Sequence, residues 1–196
     1  MSTWSEWKAS PYPKEGKTCQ NCHMPAMGWI VGEDGKIKRI NEHDLSRGRT
    51  SKKVVESAEL RIKKISRAGD QLTVKVQVEN VGSGHCLPTG MPSRRVTLEV
   101  EIHSGGRMID QQFRIYQKVV GDASGRKLSL DADIKLRGRR ILSDNRLRPR
   151  EPRDEVFTFT VDPRSRFKVR TALNYSYSPL LLKKQSMKIN ISEQWR

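Results

Sequence analysis

Leu72-Thr-Val-Lys-Val-Gln-Val-Glu79 is the stretch on which the fold turns. Leu72, Val74, Val76 and Val78 alternate with Thr73, Lys75, Gln77 and Glu79. Successive side chains of a strand point to opposite faces, so this period of two describes a half-buried β-strand. Applied outward, the same rule turns Val96, Leu98, Val100 and Ile102 inward, then Phe157, Phe159 and Val161. Further strands are expected at 60–65, 111–119, 167–177 and 187–191. Turn chemistry separates them at Gly69-Asp70, Asn80 to Gly84, Gly105-Gly106 and Asp162-Pro163. About seven or eight strands in roughly 140 residues predict a mainly β fold, an immunoglobulin-like antiparallel β-sandwich. Residues 121–153 are charged and aperiodic, and are expected to form a long connection. No internal repeat or low-complexity tract interrupts the pattern.

Upstream the character changes. Residues 1–53 are rich in Gly, Pro, Ser and Lys and lack sustained periodicity, which predicts a short, largely irregular segment with room for one short helix. The expected division is therefore an attachment segment at 1–53 and a β-sandwich domain at 54–196. The 196 residues can bury a real core. With 38 Lys+Arg against 22 Asp+Glu the formal charge is +16, which favours an anionic partner surface. No apolar run approaches the length of a membrane span.

The cysteines stand at 19, 22 and 86, an odd number with one close pair, which does not suit a disulfide framework. Cys19-Gln-Asn-Cys22-His23 instead matches the motif in which two thiols add to the vinyl groups of one haem and the next histidine binds its iron. A zinc site would need two more ligands, and the nearest offer is the adjacent pair His85-Cys86, which is poorly spaced to close one tetrahedron. A thioredoxin-like redox pair would need a surrounding βαβ pattern, and Pro11 and Pro13 precede the motif here. The expectation is one covalent haem c, held by Cys19 and Cys22 with His23 on the iron. Such attachment occurs outside the cytoplasm, so a periplasmic or extracellular protein is expected. The first residues, MSTWSEWKASPYPKEGK, lack the basic-then-apolar pattern of a secretory signal, which suggests a processed form or part of a longer product.

Residues 4–25, WSEWKASPYPKEGKTCQNCHMP, resemble the last haem-binding segment of multihaem c-type cytochromes. The resemblance continues through His43-Asp-Leu-Ser-Arg-Gly48, through residues 80–95 (NVGSGHCLPTGMPSRR) and through Asp144-Asn-Arg-Leu-Arg-Pro149-Arg-Glu151. It implies a carboxy-terminal β-sandwich attached to a haem-rich region. Relatives carry several Cys-x-x-Cys-His sites and this sequence carries one. The resemblance thus implies either a single-haem version or further haems upstream or on partner chains.

The sixth iron ligand is sought among His43, His85, His103, Met24, Met27 and Met91, or outside the chain. His43 is the first choice: it lies in coil twenty residues after His23, free to fold back, and the family motif around it supports a ligand role. His85 is the second, in a turn where Gly82 and Gly84 allow close backbone approach. His103 reads as strand surface, Met24 lies too near His23 to reach the opposite face, and Met27 and Met91 serve equally as core filler. Cys86 reads as a small buried thiol. Trp4, Trp7 and Trp29 bracket the motif and can wall a haem edge or pack on the sandwich.

Arg164, Arg166, Lys168 and Arg170 alternate with Ser165, Phe167 and Val169, predicting four cations on one strand face. A second arginine cluster runs from Arg137 to Arg153. These are read as a solvated face or as steering toward an acidic redox partner; nucleic acid is unlikely, since no recognition motif accompanies them. The expected function is electron transfer by a cytochrome c within a multihaem chain or assembly, exchanging with other cytochromes or with haems of neighbouring chains. The alternatives are a haem-containing subunit of a small-molecule oxidoreductase and a structural β-sandwich adapter in a cytochrome complex.

Overall fold

In the structure, a computed structural model that describes residues 3–41, 51–177 and 187–196, the alternation at 72–79 becomes the central strand of a sheet. In chain order the elements are α1 (Thr3–Lys8), a 3-10 turn (Tyr12–Glu15), α2 (Cys19–His23), β1 (Ala26–Val31), β2 (Ile37–Asn41), α3 (Ser51–Val55), β3 (Glu59–Ala68), β4 (Gln71–Glu79), β5 (Arg95–Ser104), β6 (Arg107–Tyr116), β7 (Lys118–Gly121), β8 (Lys127–Leu128), α4 (Asp131–Arg137), β9 (Arg140–Asp144), β10 (Arg153–Thr160), β11 (Lys168–Tyr177) and β12 (Met187–Trp195). One sheet is ordered β10-β4-β3 and the other β12-β11-β5-β6; every named strand pairing in them is antiparallel. Leu72, Val74, Val76 and Val78 from the first meet Val96, Leu98, Val100 and Ile102 from the second, together with Phe157, Phe159, Val169 and Leu173, in one apolar core. All eight of those alternating residues on β4 and β5 are fully buried. Removing apolar surface from water at about 1.5–3 kcal/mol per such side chain is what holds the two sheets face to face.

Side chains close both seams between the sheets. On one side the Gln194 amide accepts from Ile62 N at 2.9 Å and donates to Leu60 O at 2.7 Å, tying β12 to the edge strand β3. On the other, Gln112 donates to Thr158 O at 2.7 Å and Arg114 reaches Glu155 at 3.2 Å, tying β6 to β10. Edge backbone groups left open would otherwise invite pairing with another chain.

Three regions depart from the sequence expectation. The described part of 1–53 carries α1, the 3-10 turn, α2 and a β1–β2 ribbon rather than mostly coil. Residues 121–153 are not a bare connection, because β8, α4 and β9 lie within them and β7 pairs with both β8 and β9. The expected strand at 111–119 breaks at Gln117, whose N–H is capped by Asn145 Oδ1 at 2.8 Å. The four-cation strand face does not form either. Strand β11 begins only at Lys168, and Arg170 is bound to Glu101 at 2.7 Å and Glu193 at 2.8 Å.

Candidate functional site

The Cys-x-x-Cys-His run is one turn of helix, and its start is written locally. Thr18 is extended, and Asn21 Oδ1 accepts from Thr18 N at 2.7 Å and from Thr18 Oγ1 at 2.8 Å, so the helix begins at Cys19. Positions i, i+3 and i+4 share one helical face, which puts Cys19, Cys22 and His23 side by side. Met24 N closes the turn on Gln20 O at 2.8 Å, and Pro25 follows, where a helix does not continue. None of the three cysteines is joined in a disulfide; Cys19 is exposed and Cys22 half-buried.

His85 comes from the turn after β4, and buried polar groups shape that turn. Asn80 is fully buried; its amide donates to His85 O at 2.8 Å and to Leu147 O at 3.2 Å, while Oδ1 accepts from Ser83 N at 3.1 Å. Ser83 Oγ lies 2.8 Å from His85 Nδ1 and 3.3 Å from Nε2, and Cys86 O lies 3.1 Å from Nδ1. A proton on Nδ1 donated to that carbonyl leaves the Nε2 lone pair for an ion. Burial pushes the His85 imidazole below its ordinary range, and the nearby His23 adds to this, while the bond to the Cys86 carbonyl opposes it. The turn can sit this close to its neighbours because it carries glycines: a Cβ on Gly82 would stand 2.0 Å from Glu56 O, and one on Gly84 would stand 3.0 Å from the Trp7 ring.

The amino-terminal segment is fastened onto this turn. Tyr12 Oη donates to Val81 O at 3.0 Å. Glu6, buried on α1, accepts from Cys86 N at 3.1 Å and from Arg146 at 2.6 Å. Arg146, also buried, is held in turn by Asp144 at 2.8 Å. Arg150 is paired with Glu15, with Nη2 to Oε2 at 2.8 Å. The outcome is that the His23 and His85 rings lie near one another, with centroids 6.3 Å apart and planes inclined by 17°. A cavity of about 620 Å³ opens around them, lined by Trp4, Trp7, Cys19, Cys22, His23 and His85 and by the apolar Val54, Leu87 and Tyr175.

These residues fit a haem. An imidazole nitrogen binds a first-row metal at about 2.0–2.1 Å, so two rings on opposite sides of one ion have centres roughly 6 Å apart. The 6.3 Å between His23 and His85 matches that separation. The cavity lies in the range of about 300–1,000 Å³ typical of cofactor sites and is mainly apolar, as a macrocycle requires. Among the described residues no group of three or more His, Cys, Asp and Glu side chains closes on one ion.

Of the residues singled out in the sequence, the structure brings together Cys19, Cys22, His23 and His85, with Trp4 and Trp7 beside them. His43 lies outside the described residues. His103 is engaged elsewhere, 2.8 Å from Glu101 and with its ring centroid 5.0 Å from that of Trp195, tilted by 56°. Met27 and Trp29 stand exposed on the β1–β2 ribbon. Burial pushes the Cys86 thiol up, with the Glu6 charge adding to it, so it stays protonated. Glu6, Asn80, Ser83 and Arg146 lie within the runs that carry the resemblance, but nothing in the sequence gives them a role at the site; Arg146 reads as one arginine in a charged run.

No family model matches the chain, and no curated protein matches it. Among solved structures it is similar to a penta-heme cytochrome c552 from Thermochromatium tepidum, with a TM-score of 0.73 over 99% of this chain and 50% of that one, at 19% identity. The chain thus spans about half the length of that structure, and at this identity the likeness is one of fold. The class so defined is a mainly β, antiparallel chain with a multihaem-cytochrome-like fold.

Proposed function

We propose that this chain is a c-type cytochrome segment that carries one covalent haem and passes single electrons within a multihaem chain or assembly. The observation that carries the reading is the near-parallel pair His23 and His85, 6.3 Å apart in the wall of an apolar cavity that Cys19 and Cys22 also line. On this reading Cys19 and Cys22 would hold haem c through thioether bonds, and His23 and His85 would bind its iron. His85 thereby takes the place that the sequence alone assigned first to His43. When bound, haem c supplies a one-electron couple, and a bis-histidine pair holds its potential below that of a histidine/methionine pair.

The remaining residues position and shield. Ser83 and the Cys86 carbonyl orient the His85 ring, Asn80 holds the turn that presents it, and Trp4, Trp7 and Leu87 keep water from the cavity wall. Two protein ligands leave no open position for a substrate, so electron transfer is preferred to small-molecule catalysis. The partners are other cytochromes or haems on neighbouring chains, a reading supported by the fold likeness to half of a penta-heme protein. Haem attachment of this kind belongs outside the cytoplasm; among the described residues no helix is long and apolar enough to cross a membrane.

The test is the visible spectrum of the chain produced with the haem-attachment machinery, with and without carbon monoxide on the reduced form. Wild type and His43→Ala should keep a six-coordinate, low-spin spectrum that carbon monoxide leaves unaltered. His85→Ala should become high-spin and bind the gas. The reverse pattern would return the sixth position to His43.

A further inference from the structure

A haem carries two carboxylates, and a mainly apolar cavity must provide for them. Burying a carboxylate without a partner is strongly unfavourable, and in proteins a planar guanidinium is the donor best matched to it. Two cations line the cavity, Lys53 and Arg94, and one acid, Glu56. Lys53 stands 3.9 Å from Glu56 and is already paired.

Arg94 is not paired with any carboxylate among the described residues. Its Nη1 donates to Thr89 O at 3.1 Å and its guanidinium lies 4.8 Å over the Tyr177 ring, while its buried Nε has no hydrogen-bond partner. A guanidinium that lines a cavity without a carboxylate partner is the donor an acidic ligand entering that cavity would meet. The backbone beneath it is shaped to admit it: Gly90 sits at φ +84°, and a Cβ there would stand 2.8 Å from Arg94 Nη1. Thr89, whose carbonyl holds the guanidinium, also lines the cavity and is joined to α1 by its hydroxyl, 2.8 Å from Thr3 Oγ1.

We infer that the Thr89–Arg94 loop is a carboxylate-binding site, and that Arg94 binds a propionate of the haem held by Cys19 and Cys22. The inference rests on the haem reading above. It gives Arg94 a role separate from ligation. The thioethers and imidazoles retain the cofactor, while Arg94 neutralises one of its carboxylates and so raises the potential at which the iron is reduced.

Thioether attachment allows the two claims to be tested apart, because a variant at Arg94 should still carry haem. The experiment is potentiometric titration of wild type, Arg94→Gln and Arg94→Lys from pH 4 to 8, with the mass of each denatured chain measured alongside. Gln keeps a donor for Thr89 O and loses the charge; Lys keeps the charge. Other titratable groups lining the cavity, Lys53 with Glu56, the two imidazoles and two tyrosines, are common to all three proteins and cancel in the comparison, and Cys19 and Cys22 as thioethers do not titrate. Arg94→Gln should have a lower potential, and that potential should rise as pH falls through the carboxylate range of about 4–6, since reduced iron favours the protonated acid. Arg94→Lys should restore most of the potential and flatten the pH profile. A Gln variant whose curve overlies wild type, or is displaced in parallel at every pH, overturns the inference while leaving the haem reading intact. A wild-type chain without covalent haem overturns both.

Discussion

His85 is the residue whose place beside His23 only the fold displays. That Cys19, Cys22 and His23 share one face was legible in the sequence, because their spacing is a local property of one helical turn. The approach of His85 was not: a histidine in a glycine-rich turn reads equally as a turn residue, and only the folded position of the turn brings its ring to 6.3 Å from His23. Asn80 shapes that position, since its side chain joins His85 O, Leu147 O and Ser83 N. Asn80→Ala leaves buried Ser83 N without its acceptor and takes one of two donors from His85 O and Leu147 O, which keep Ser83 Oγ and Leu87 N, and is expected to cost about 1–3 kcal/mol. Urea unfolding of the haem-loaded protein checks the magnitude. The same variant should show a mixture of low- and high-spin iron, because His85 loses its anchor.

At the scale of elements, strands that contribute to the core were readable and strands that do not were missed. Strands β4 and β5 alternate buried and open residues, so period two marks them. All five residues of β9 are exposed, and β1 exposes nearly every side chain, leaving no alternation for a sequence to display. The link between α1 and the loop after β9 was equally silent, since Glu6 and Arg146 lie 140 residues apart. Glu6→Gln leaves Arg146 buried with one partner fewer, and breaking a buried pair costs about 3–5 kcal/mol. Thermal unfolding should therefore show a clear loss for Glu6→Gln, and little change for Glu15→Gln in the exposed pair with Arg150. The cluster also sets an acid limit. Burial alone would raise the Asp144 carboxyl, but its contacts with Arg146, aided by Lys118, outweigh that and hold it below the usual range. A carboxyl depressed in the folded state contributes stability in full above its unfolded value of about 3.9, and loses it as pH falls through the lower folded value. Stability should fall with acid below about pH 4 in wild type, and less steeply in Asp144→Asn.

For the whole molecule, the sandwich was legible because burial of one face imposes a rhythm on every strand that shares the core. The cavity was not, because it forms where the amino-terminal segment meets the end of the β-structure, a junction no local pattern records. The +16 charge is likewise a property of the entire chain, although several arginines counted toward a docking face serve the fold instead: Arg146 and Arg170 are consumed in ion pairs. Arg166 and Lys168 remain exposed. Electron exchange with an acidic redox protein should slow as salt rises, and reversal of Arg166 and Lys168 to Glu should slow it at low salt without changing the spectrum. A stopped-flow rate indifferent to both would move the docking site to the cavity edge at Trp4. Each of these expectations rests on the proposal of one covalent haem at Cys19 and Cys22, and its most direct test is the intact mass of the fully denatured chain made with the haem-attachment machinery. The mass should equal the polypeptide plus one haem, and the bare polypeptide alone for the Cys19→Ala/Cys22→Ala double variant; a wild-type chain at bare mass, its pigment lost on denaturation, would contradict the account.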